Sequence, residues 1–111
     1  MALFLAKFSL TAESWAKLIA QPEDRRKALE PALTAVGGKL QGFWYAFGEA
    51  DGYVLVEAAD ETTVAAALVK VAASGAFTQV ATTRLLTVEE MLQALARAGD
   101  MPFRAPGAAS T

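Results

Sequence analysis

The 111-residue chain contains no cysteine and no histidine. Without cysteine there is no disulfide, no thiolate nucleophile and no Cys-based zinc site. Without histidine the commonest metal ligand is missing, as is the one side chain that titrates near neutral pH unperturbed. Ser-His and Cys-His catalysis are therefore both excluded. A surplus of charge of one sign is absent too: 10 Lys and Arg stand against 12 Asp and Glu, a net charge of −2. A nucleic-acid partner needs a basic face that displaces counterions, and this balance argues against one. No run reaches the ~18 apolar residues that a membrane span needs. Met1 to Phe8 is apolar, but it lacks a basic start and Lys7 interrupts it, so it reads as a strand and not as a signal peptide. The expectation is a cytoplasmic protein with no nucleic-acid partner, no membrane partner, no cofactor and no metal.

Hydrophobic residues make up 54% of the chain, much of it alanine. That suffices for one domain with its own core. Ala2, Phe4, Ala6 and Phe8 fall on one parity, and Leu3 and Leu5 on the other. A strand apolar on both faces is an interior strand. Thr11 is placed to cap a helix, with Ser14 three positions on and Trp15, Leu18 and Ile19 on one face. Pro22 marks a break and a restart. Leu29, Ala32, Leu33 and Val36 then continue at helical spacing to Gly37-Gly38. Pro31 lies inside that run and predicts a kink in it, not a stop.

The stretch from residue 38 to 58 is the centre of the pattern. It reads as two strands joined by a turn at Gly48 to Gly52, with an Asp51-Gly52 pair of the kind hairpins favour. Five aromatics fall in it: Phe43, Trp44, Tyr45, Phe47 and Tyr53. Asp60 caps the next helix, with Val64, Leu68 and Val71 as its stripe and Gly75 as its stop. Phe77 to Leu86 is a fourth strand, rich in Thr and β-branched residues. Thr87-Val88-Glu89-Glu90 is a capping box that starts a last helix, with Val88, Met91, Leu92 and Leu95 expected inward. Residues 1–99 form the domain, and residues 100–111, rich in Pro, Gly, Ala and Ser, read as a flexible tail.

The order is thus β-α-β-β-α-β with a kinked or split first helix and an extra C-terminal helix. That is the ferredoxin-like α+β pattern, a four-stranded antiparallel sheet in the order 4-1-3-2 with helices on one face. Simple alternation on the second strand sends Phe43, Tyr45 and Phe47 one way and Leu40, Trp44 and Ala46 the other. Either way, bulky aromatics remain on the uncovered side. Each can bury ~150–250 Å², so the open face calls for a second copy of the chain, a homodimer. The competing expectation is that the trailing helix or the tail folds over this face.

Gly37 to Asp60, Ala72-Ala73-Ser74-Gly75 and Thr82 to Glu90, with Thr11 to Trp15 and Pro22 to Arg26, resemble the GYD-domain family of small bacterial proteins. The resemblance spans about residues 3 to 98. It implies a ferredoxin-like shape related to the dimeric α+β barrels, in a family whose biochemical role is largely uncharacterised. Gly48 and Asp51 match the family's Gly-x-Tyr-Asp motif, but Ala50 stands where the family has tyrosine. A function that depends on that hydroxyl is missing here.

Candidate site residues follow from chemistry. Asp51 reads either as a turn residue bonding nearby backbone N–H groups or, in a chain without histidine, as a general base. Arg84 reads as half of an ion pair with Glu57, Glu89 or another carboxylate, or as a clamp for a carboxylate or phosphate. Phe43, Trp44 and Tyr45 are core and interface, or the wall of an apolar pocket for an aromatic or quinone-like ligand. Two functions fit: a homodimeric module that binds a small organic ligand or serves in assembly, or a cofactor-free oxygenase or isomerase of the dimeric α+β barrel kind.

Overall fold

Strand β1 (Ala2–Leu10) takes an interior place in a four-stranded antiparallel sheet, between β3 (Gly52–Ala58) and β4 (Phe77–Leu85). Strand β2 (Lys39–Tyr45) lies outside β3, so the order is β2-β3-β1-β4, the predicted 4-1-3-2 order read from the other edge. The structure, a computed structural model, describes residues 1–107; the last four residues of the expected tail lie outside the described residues. Residues 100–107 form no helix or strand.

The helices start and stop where the sequence signals place them. Helix α1 (Ala12–Ala20) begins at Thr11, whose Oγ1 accepts from the Ser14 N–H, and α3 (Glu61–Ala73) begins at Asp60, which accepts from the Thr63 N–H. The expected split at Pro22 is real, since α1 ends at Ala20 and α2 (Arg26–Ala35) restarts beyond the proline. Pro31 lies inside α2, which runs through it. Gly37 and Gly75 follow α2 and α3 with φ of 79° and 77°, the left-handed turn that releases a chain from a helix. Helix α4 (Val88–Gly99) starts at the full capping box of Thr87 and Glu90.

Register sorts the two faces of the sheet. Phe4 lies opposite Val56 and Arg84, Ala6 opposite Val54 and Thr82, and Phe8 opposite Gly52 and Val80. This inner face holds the core: Ala2, Phe4, Phe8, Val54, Val56 and Ala58, with Leu33 from α2. On the outer face Leu3, Leu5, Tyr53, Leu55 and Leu85 are only half-buried.

Three expectations need correction. Simple alternation fails on β2, because a bulge between Leu40 and Gly42 shifts the register. Leu40 and Phe43 then both lie opposite inner-face valines, and Tyr45 opposite Gly52, while Trp44 pairs with Tyr53 on the outer face. Phe47 is in the loop after β2 and fully exposed. Second, Asp51-Gly52 is not the turn dipeptide, because Gly52 is already paired within β3. A Cβ there would lie 2.3 Å from the Phe8 ring and 2.6 Å from the Trp44 carbonyl oxygen. Glycine is required at this position by close approach, not by a turn.

Third, the apolar stripe of α4 is not inward. Val88, Met91, Leu92 and Leu95 are 71%, 44%, 60% and 59% exposed. The radius of gyration, 18.6 Å, exceeds the ~13 Å of a compact chain this long, and the long axis is 66 Å. Helix α4 stands off the domain and leaves the outer face of its own sheet uncovered.

Gly52→Ala is expected to lower stability by about 1–3 kcal/mol, since one inserted methyl must displace both a ring and a backbone carbonyl. Urea unfolding of the two proteins checks this, and equal midpoints would contradict the close approach.

Candidate functional site

Between the inner face of the sheet and helices α2 and α3 lies a cavity of about 440 Å³. Small and large apolar residues alternate along its helical side, where Leu29 and Leu33 of α2 and Leu68 of α3 take part. Ala28 and Ala32 of α2 and Val64, Ala67 and Val71 of α3 line it, and neither α1 nor α3 has a fully buried side chain. The sheet contributes Phe4, Phe8, Val54, Val56 and Val80. One end is aromatic: the Phe8 ring centroid is 5.5 Å from that of Phe43 and 5.8 Å from that of Phe77, with Tyr45 5.3 Å from Phe43.

The lining is mainly apolar, with Arg25, Tyr45, Thr63, Lys70, Ser74 and Thr82 as its polar members. Thr82 Oγ1 is buried and has no hydrogen-bond partner, and Thr82 lines the cavity. An unpaired buried hydroxyl costs about 1–3 kcal/mol. Thr82 was not among the expected site residues. Its signal is a polar residue at an inward position, two along from Val80, and β propensity alone explains it away.

Of the expected ligand residues, Phe43 and Tyr45 line the cavity, whereas Trp44 and Arg84 do not. Trp44 lies on the outer face with its ring over Gly42, where a Cβ would come within 2.2 Å of the indole.

Asp51 is a clip. Its Oδ2 accepts from the Leu10 N–H at 2.8 Å and the Trp15 Nε1–H at 3.3 Å, and its own N–H donates to the Phe8 carbonyl. Register slips between Ser9 and Leu10, and the carboxylate takes the amide at that irregularity. Its partners are thus distant in sequence, not the neighbouring amides of an Asx turn. Ala50, beside it at the family's tyrosine position, is buried.

Arg84 lies opposite Phe4, at the other end of β1, with its guanidinium 5.8 Å from the centre of the Phe4 ring. Phe4 and Phe8 are four residues apart on a strand, so Arg84 and Asp51 are about 13 Å apart or more. Arg84 donates to Glu90 Oε2 at 2.8 Å and to the Leu85 carbonyl, and it lies 3.8 Å from Glu61. It therefore ties the first turns of α3 and α4 together, with partners other than Glu57 and Glu89. The Arg84 hydrogen bond, aided by the Thr87 N–H, holds the Glu90 carboxyl down at about 2. Among the described residues, no group of three or more His, Cys, Asp or Glu is placed to hold a metal ion, and no helix is long and apolar enough to cross a membrane.

Two predictions follow from these contacts. Asp51→Ala should destabilise the domain by about 1–3 kcal/mol, because it leaves the Leu10 amide unpaired. Asp51→Asn should recover much of that loss, and chemical denaturation of both variants distinguishes a clip from a dispensable turn residue. Glu90 has a folded pKa below its ordinary 4.5. Its stabilisation is therefore fully present above about pH 4.5 and is lost as pH falls through about 2. Melting temperatures of the natural protein and Glu90→Gln should converge across that window, and a constant gap would contradict the pairing.

The crystal structure of FFRP-DM1 superposes with a TM-score of 0.50 at 18% identity, covering 78% of this chain and 100% of that one. At that identity the likeness concerns the fold alone. No curated protein matches the chain. The GYD domain family matches residues 4–95, which takes in all of the sheet but the first two residues of β1, the first three helices and most of α4. The chain belongs to the GYD domain family.

Proposed function

We propose that this domain is a homodimeric binder of a small, mainly apolar organic molecule, held in the cavity between the sheet and helices α2 and α3. The observation that carries this reading is the cavity itself, whose lining is mainly apolar and whose one end is formed by the rings of Phe8, Phe43, Tyr45 and Phe77. The volume, about 440 Å³, falls within the ~300–1,000 Å³ of ordinary ligand sites. The aromatic end favours a flat ring, such as an aromatic or quinone-like molecule.

The outer face supports the homodimer. Trp44 is 53% exposed there, beside the half-buried Leu3, Leu5, Tyr53, Leu55 and Leu85. A second copy laid against this face gives the dimeric α+β barrel arrangement. The oxygenase or isomerase alternative requires an acid or base beside the ligand. Asp51 and Arg84 are far apart and tied to other groups, and no carboxylate is among the described residues lining the cavity. Binding, without proton abstraction, is the better-supported reading.

Native mass spectrometry of protein from its own host should reveal a retained small molecule, and a fluorescent naphthalene probe should bind the emptied protein. Ala67→Phe, which fills the cavity, should abolish probe binding while preserving the circular dichroism spectrum. Undiminished probe binding by Ala67→Phe would place the ligand elsewhere and overturn the reading.

A further inference from the structure

Helix α4 carries an apolar stripe that its own chain leaves largely uncovered. Val88, Met91, Leu92 and Leu95 are exposed, and Met101 and Phe103 beyond the helix are 68% and 85% exposed. Together with the outer sheet face, this is more contiguous apolar surface than a soluble monomer commonly shows. We propose that α4 is an exchange arm: in the homodimer each chain's α4 packs its stripe against the second copy, closing the interface that the two open sheet faces begin. This rests on the homodimer reading above.

The chain cannot readily satisfy its own stripe. Only Leu86 and Thr87 separate β4 from α4. Arg84 lies on the inner side of β4, opposite Phe4, and holds Glu90 in the first turn of α4 beside Glu61 in the first turn of α3. The first turn of α4 is therefore pinned on the inner side of β4, and the rest of the helix extends beyond the sheet. The outer face is on the opposite side of β4, where Leu85 lies opposite Leu3. Folding α4 back over it would break the Arg84–Glu90 pair and the capping box together.

Charge and area favour a second copy as the occupant. The rest of α4 bears Glu89, Glu90, Gln93 and Arg97, not the Lys- and Arg-rich face of a helix that lies on anionic lipid. An α4 about 18 Å long adds several hundred Å² to the mixed surface of the sheet, toward the ~800 Å² per partner that a stable interface buries.

Sedimentation equilibrium of the full chain tests the arm. Leu92 and Leu95 are exposed, so the double change Leu92→Glu/Leu95→Glu should leave the circular dichroism spectrum intact and weaken dimerisation about a hundredfold or more. Gln93→Glu, away from the stripe, should leave the dimer unchanged. A double variant that dimerises as tightly as the natural chain overturns the arm while the sheet-face dimer stands. Equal dissociation by Gln93→Glu overturns it too, because added charge and not the stripe would be responsible. A double variant that loses its fold contradicts the exposed placement and also overturns it. A natural chain that is monomeric at tens of micromolar overturns both readings.

Discussion

The structure depends on one constraint: β1 is apolar on both faces, and a single layer of helices can cover only one of them. The inner face is met by α2 and α3, which turn Leu33 and a set of small residues toward it. The outer face, with Leu3 and Leu5 of β1 beside Leu55, Tyr53 and Leu85, receives nothing from within the chain. Hydrophobic burial is the main favourable term in folding and association alike. The same strand therefore organises the domain and leaves it with surface suited to a partner. This is why the most informative residues are the half-buried ones, not the core.

Much of this was legible in the sequence because the signals were local. Thr11, Asp60 and Thr87 each place a hydroxyl or carboxylate three residues before a backbone amide that needs an acceptor, and all three caps form. Pro22 and the glycines at 37 and 75 act through their own backbone geometry. What misled were features set by contacts distant in sequence. The bulge between Leu40 and Gly42 brings Leu40 onto the same face as Phe43 and Tyr45, and alternation within one strand cannot reveal where its partner slips. Asp51 looked like a turn residue because the N–H groups it serves belong to Leu10 and Trp15, brought near only by the fold. The α4 stripe has the spacing of a buried helix, and spacing says that a face must be covered without saying by which chain.

The two charged residues most suggestive of chemistry are occupied in holding elements together. Asp51 joins the β2–β3 loop to the end of β1 and to α1, and Arg84 joins the first turns of α3 and α4. Both carboxylates that Arg84 meets lie at helix N-termini, where the helix dipole already favours negative charge. With these two residues committed to the frame, the recognition capacity left to the inner site is mainly apolar contact, with Arg25 and Lys70 as the charged members of its lining.

The distribution of side-chain size agrees with that division. Alanines and valines stand beside Leu29, Leu33 and Leu68 on the facing sides of α2 and α3, and the two layers meet across a space that larger residues at the small positions would have filled. Close packing is the rule in protein interiors, and a void of this size forfeits dispersion contacts along its whole lining. The chain has large apolar residues to spare, yet Leu92, Leu95, Met101 and Phe103 are placed outside. A sequence whose only demand was a stable monomer would gain by reversing that arrangement. Small residues within and large ones without are what a domain needs when a small molecule fills its interior and a second copy covers its surface.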